Sequence, residues 1–131
     1  MNLTEVSTLL LGLDGVRVEL HETKPATFNR WLAGDKVIAW HRPLSKKDTD
    51  ALRSAAASGG RAVSQGVLAG EVLAMHVADL GEKQAWLEAA PDTCFDAPHF
   101  ANYPAVLIDL QNADPQVVLE IADACAERYR K

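Results

Sequence analysis

Four histidines, at positions 21, 41, 76 and 99, and two cysteines, at 94 and 125, are the side chains of this sequence best suited to metal binding or nucleophilic chemistry. Their spacing does not bring them together. No histidine pair stands four residues apart, and no close His/Cys cluster occurs, so the patterns that preassemble zinc ligands are missing. His76 falls in a strand-like stretch and reads as a packed or edge histidine. Cys94 and Cys125 lie far apart in apolar surroundings and read as two buried thiols in a reducing cytoplasm. Nucleophilic catalysis finds no better support. Gly-x-Ser-x-Gly is absent and no cysteine adjoins a basic partner. Ser58-Gly59-Gly60 lacks the lysine and the following helix start of a phosphate loop. No metal, cofactor or catalytic residue is expected, and a binding module ranks above an enzyme.

Two groups remain as binding candidates. His99 lies between Pro98 and Phe100 in an irregular segment before a strand, where a rigid scaffold often carries binding groups. Prolines 98 and 104 would hold that segment extended. In one reading His99 binds a ligand beside Phe100 and Tyr103. In the other, Phe95, Phe100 and Tyr103 plug the end of the sheet while His99 makes a single backbone hydrogen bond. The second group is Trp31, Trp40, His41 and Arg42, with Trp40 and Arg42 on one strand face and Trp31 lying across the hairpin from one of them. Aromatics interleaved with Arg30, Lys36 and Arg42 could stack on bases or grip phosphates. Equally, a tryptophan can be core with the arginines lying over it.

Charge sharpens the second group. A net charge of −5 and a pI near 5.3 argue against a protein that coats nucleic acid by bulk electrostatics. Yet residues 23–61 hold eight Lys/Arg against three Asp/Glu, a basic middle on an acidic body. Arg30, Lys36, Arg42, Lys46 and Lys47 could form a local anion-binding face, or a solvated hairpin and helix with no partner.

The elements that must position these residues are readable. Asn2 and Glu5 form a capping box ahead of Leu3, Val6, Leu10 and Leu13. Val16, Val18 and Leu20 alternate with Arg17 and Glu19 as a half-buried strand that ends at Pro25. Residues 27–32 and 37–42 read as a hairpin turning at Gly34. Ser45 and Asp48 open a helix through Ala51, Leu52, Ala55 and Ala56. Ser58-Gly59-Gly60 begins a loop running to Gly70, with a short ordered piece around Val67-Leu68. A strand over 72–77 and a helix capped by Asp79 and Glu82 follow, the latter carried by Ala85, Leu87 and Ala90. Cys94-Phe95 is a brief extended piece or a turn, and 105–110 is a strand. Asp114-Pro115 opens a last helix with Val117, Val118, Ile121, Cys125 and Tyr129 as its stripe and Arg128, Arg130 and Lys131 at its end. Antiparallel hairpins with helices set apart predict a two-layer α+β sandwich in one domain over 131 residues. No apolar run reaches membrane-spanning length, and the N-terminus does not read as a signal peptide.

Three stretches carry a resemblance. Asp35-Lys36-Val37-Ile38-Ala39-Trp40-His41-Arg42-Pro43-Leu44, Val77-Ala78-Asp79-Leu80-Gly81-Glu82-Lys83 and Pro98-His99-Phe100-Ala101-Asn102-Tyr103-Pro104-Ala105-Val106-Leu107 resemble, in order, motifs of the MmcQ/YjbR family of small bacterial proteins. The chain departs from that pattern at Asp96-Ala97, where the family has paired threonines, and at Ala101-Asn102, where it has Asp-Gly. Its Ser54–Gly70 stretch is also longer. The resemblance implies a fold similar to the CyaY/frataxin type, an antiparallel sheet with helices packed on one side, and a DNA-binding role. A frataxin-like fold also raises iron binding by surface carboxylates, but Glu5, Asp14, Glu19 and Glu22 are sparse for that task.

The reading is therefore a cytoplasmic binding protein whose hairpin, with Arg30, Lys36, Arg42, Lys46 and Lys47, contacts DNA. The alternatives are a small-molecule binder whose pocket of Trp40, His99, Phe100 and Tyr103 takes a planar ligand, or a dimeric adaptor. Both a monomer and a homodimer stay open.

Overall fold

Asn2 caps the first helix, α1 (Leu3–Leu11), by accepting from the Glu5 amide at 2.8 Å, while the Glu5 carboxylate accepts from the Asn2 amide at 3.0 Å. This is the capping box expected from the spacing. The computed structural model describes residues 1–23, 26–59 and 64–129, with side chains except those of 21–28. The expected strand end at Pro25, the loop residues Gly60 and Arg61, and the terminal Arg130 and Lys131 lie outside the described residues, as do the side chains of His21 and Glu22.

After α1 the chain runs through β1 (Val16–Thr23), β2 (Ala26–Ala33) and β3 (Lys36–His41), an antiparallel meander. Gly34 opens the turn between β2 and β3 with φ 61°, a conformation that glycine adopts without steric cost. The β2–β3 register shifts at Trp31/Leu32 so that the pairing skips Ile38, and Ile38 and Ala39 are both buried. Such a bulge re-aims the side chains that follow it. Next come α2 (Lys46–Ala57), the one-turn α3 (Gln65–Leu68), β4 (Val72–His76), α4 (Leu80–Ala89), the two-residue β5 (Cys94–Phe95), a 3-10 turn (Pro98–Phe100), β6 (Ala105–Asp109) and α5 (Pro115–Tyr129). Ser45, Ser64 and Asp79 cap α2, α3 and α4 through their side chains. The sheet order is β1-β2-β3-β4-β6-β5, with every neighbouring pair antiparallel. This is the α+β sandwich expected.

α1 and α5 form the main helical layer. Val6 and Leu10 of α1 and Val118, Ile121 and Cys125 of α5 pack with Trp31, Met75, Val106 and Ile108 of the sheet. The opposite face is not bare. A second cluster there joins Val72, Ala74, Phe95 and Leu107 to Val67 of α3 and Phe100, with Leu52 of α2, Leu44 and Trp40 half-buried around it. Helices therefore flank both faces, the second layer being short and set toward the β4–β6–β5 half.

Three expectations are corrected. Trp31 pairs with Ala39, not with Trp40 or Arg42, and lies fully buried under α1 with its indole N–H donating to Ser7 Oγ at 3.1 Å. The Pro98–Tyr103 segment is coiled rather than extended. The Phe100, Ala101 and Tyr103 amides donate to the carbonyls of Ala97, Pro98 and Phe100. The fixed φ of Pro98 suits the first turn of a helix as well as it suits an extended chain. Finally, the helices are not confined to one face of the sheet as expected, because α2 and α3 pack on the second cluster, and α2 and α4 each bury a charged residue, Asp48 and Lys83. Among the described residues no helix is long and apolar enough to cross a membrane.

Candidate functional site

One row of cross-strand partners spans the sheet: Glu19, Arg30, Trp40, Ala74, Leu107 and Phe95. Partners directly opposite share a face of a sheet. Ala74, Leu107 and Phe95 belong to the cluster facing away from α1 and α5, so Trp40 points there too. The small Ala74 beside it leaves room over β4. Trp40 fills that room, with its ring 4.7 Å from the His76 ring and 6.5 Å from the Phe100 ring. Arg42, two residues on, places its guanidinium carbon 5.6 Å from the Phe100 centroid and donates to the Pro43 carbonyl at 2.6 Å. The expected shared face of Trp40 and Arg42 is thus present.

His76 is the pivot of this group. Its Nδ1 lies 2.7 Å from the Val37 carbonyl and its Nε2 lies 3.0 Å from the Tyr103 hydroxyl. A carbonyl can only accept, so Nδ1 carries the hydrogen and, in the neutral ring, Nε2 accepts from Tyr103. Tyr103 is 44% exposed and its ring stands 5.7 Å from His76 and 6.2 Å from Phe100. The result is an aromatic surface of Trp40, His76, Phe100 and Tyr103 with Arg42 at its rim.

Two buried charges hold the Pro98–Tyr103 segment in place. The Lys83 ammonium, from α4, donates to the carbonyls of Phe100 and Tyr103 and sits 3.0 Å from the Asp96 carboxylate. Asp48 of α2 accepts from the His99 amide at 3.3 Å through Oδ1, while its buried Oδ2 has no hydrogen-bond partner among the described residues.

The sequence candidates divide accordingly. Trp40, Arg42, Phe100 and Tyr103 converge. His99 is exposed, meets Phe100 edge-on at 5.3 Å, and contributes its backbone N–H to Asp48. His41 turns away to the helical face, where its Nε2 lies 2.9 Å from the Gly70 carbonyl. Arg30 stands opposite Trp40 but its guanidinium is paired with Glu19, which also holds Arg17 at 2.8 Å. Lys46 is exposed and pairs with Asp50 at 2.9 Å. Lys36 lies at the far end of β3 from Trp40. His76 and Lys83 were missed as site residues. The signal for His76 was its place on a strand two residues from Ala74, and for Lys83 its place three and four residues before Trp86 and Leu87, which pack against the core from α4.

Arg17 and then Arg30 hold the Glu19 carboxyl below its ordinary value through hydrogen bonds. Burial pushes the Cys125 thiol up, and both cysteines are buried thiols outside any disulfide, as expected. No group of three or more His, Cys, Asp or Glu among the described residues is placed to hold a metal ion. A wide groove of about 780 Å³ is lined by Asp14, Gly34, Lys36, Arg128 and Tyr129, away from the aromatic surface. Of its charges, Arg128 lies 3.8 Å from Glu82, so the aromatic surface, whose rings and guanidinium are in contact, is the stronger candidate.

No family model matches the chain, and no solved structure matches it. The chain is similar to uncharacterised proteins of Mycobacterium bovis and of two strains of Mycobacterium tuberculosis, 36% identical in each case over 91 residues. The matched stretch covers 70% of this chain and 64% of each relative, so the chain spans a little under two thirds of their length.

Proposed function

We propose that this protein is a non-enzymatic binding module that takes a planar, anionic small molecule on the surface formed by Trp40, His76, Tyr103 and Arg42. The observation that carries this reading is convergence. Two adjacent strands and the segment before β6 set the Trp40 ring 4.7 Å and the Tyr103 ring 5.7 Å from the His76 ring, with Arg42 beside them on Phe100. Aromatic faces favour a flat ligand, and a guanidinium favours its carboxylate or phosphate. The Tyr103 hydroxyl adds a hydrogen-bonding group whose orientation His76 sets. The likeness to the MmcQ/YjbR family is consistent with a small binding protein.

DNA is the second reading, favoured by Arg30 standing opposite Trp40 with Arg42 and Lys46 following. It has less support. Arg30 and Lys46 already hold carboxylates, and Lys36 lies about 13 Å along β3 from Trp40 at the rise of a strand.

Thermal shift with a panel of aromatic carboxylates and nucleoside monophosphates tests the proposal, since a true ligand raises Tm with concentration. At least one compound should shift the wild type and lose the effect in Trp40→Ala and in Arg42→Ala. A shift that survives both substitutions sinks it. Binding of duplex DNA with a steep salt dependence, without any small-molecule shift, would favour the second reading.

A further inference from the structure

We propose that β1 is a dimer interface, with two copies pairing their β1 strands antiparallel about a two-fold axis at Val18 to form one continuous sheet. β1 is eight residues long and stands at the edge of the sheet, and among the described residues no strand pairs with its outer side. An open edge of that length is a template for another strand, and proteins normally blunt it with charge, proline or a bulge. Here positions 16, 18 and 20 of β1, on the helix-facing side, are all apolar, and Val18 and Leu20 are 39% and 69% exposed. They share that face with Trp31, opposite Val18, but the edge carries them past the cover of α1.

The charges on the other face select the occupant. An axis through Val18 sets Val18 against Val18 and Val16 against Leu20 of the second copy on the apolar face. On the polar face it sets Arg17 against Glu19 of the second copy, twice. Axes through Arg17 or Glu19 would place like charges directly opposite, which is destabilising. Arg17 and Glu19 already meet at 2.8 Å within one chain, so crossing them extends an existing network to four charges beside the two Arg30 side chains. The charged residues that would guard this edge against other strands are complementary to its own copy. The opposite edge of the sheet, β5, is two residues long, so growth stops at two chains.

Sedimentation velocity on the full chain tests this directly. The wild type should run as a dimer of the 14.2 kDa chain and dissociate on dilution. Hydrogen exchange at β1 amides should speed up as it dissociates. Arg17→Glu or Glu19→Lys alone sets like charges opposite in both crossings and should weaken the dimer about tenfold or more. Mixing the two variants restores both crossings and should give a heterodimer. Circular dichroism shows that each variant is folded before it is scored. A wild type that stays monomeric at every concentration overturns the proposal. So do a dimer indifferent to both substitutions, variants that fail to rescue each other, and assemblies larger than two chains.

Discussion

The ammonium of Lys83 on α4 donates to the main-chain carbonyl of Tyr103 at 3.0 Å, so one lysine links a helix to the segment carrying the exposed tyrosine of the aromatic surface. It also reaches the Phe100 carbonyl and the Asp96 carboxylate. Lys83 is 3% exposed, and a charge at that depth persists only when hydrogen-bonded and paired.

Lys83→Met keeps the length of the side chain and removes its donors. It should cost about 2–4 kcal/mol, toward the low end because Asp96 remains partly hydrated. Urea denaturation measures the loss. Hydrogen exchange should localise the loosening to residues 98–103. A change under about 1 kcal/mol would show that the lysine does not hold the segment.

The His76 ring should be the Nδ1–H tautomer when neutral, because the Val37 carbonyl accepts from that nitrogen. Nitrogen chemical shifts of the imidazole read this directly. Tyr103→Phe should leave the tautomer unchanged while lowering affinity for any compound found by the thermal-shift panel by about tenfold, the worth of one hydrogen bond. An Nε2–H tautomer would place the Tyr103 hydroxyl as acceptor and overturn the assignment.

Stability should fall at both ends of the pH scale, for different reasons. Glu19, held below its ordinary value of 4.5 by Arg17 and Arg30, favours the folded state above that value. The contribution is lost as pH falls through the lowered value. It is an exposed interaction, so salt should shrink it. Glu19→Gln should therefore match the wild type in strong acid and differ only above it. The Cys125 thiol, raised from 9.0 by burial, acts in the opposite sense. Its contribution is complete below about pH 9 and is lost as pH rises through the raised value. Both thiols should resist iodoacetamide until the protein unfolds. Rapid alkylation of the native chain would contradict their burial.

Much of the fold was legible because it rests on local signals. Asn2 with Glu5, Ser45 with Asp48, Asp79 with Glu82 and Gly34 mark helix starts and a turn through hydrogen bonds and backbone freedom that span four residues or fewer. Alternation likewise placed β3, while β4 and β6 were read from runs of strand character and are buried nearly throughout. Where alternation was read too far, at Val18 and Leu20, the pattern was right but the strand stands at an edge, and edge position depends on the order of strands.

The site was only half legible, and the reason is distance along the chain. Local pattern was enough to put Trp40 and Arg42 on one face and to place Phe100 and Tyr103 in an irregular segment before a strand. Only the tertiary structure decided that His76 stands between Trp40 and Tyr103, that Trp31 is buried on the other face, and that Lys83 and Asp48 anchor the segment from two different helices. Periodicity reports which side of its own strand or helix a residue occupies. Which elements meet there is set by strand order and by a one-residue bulge, and neither leaves a local mark in the sequence.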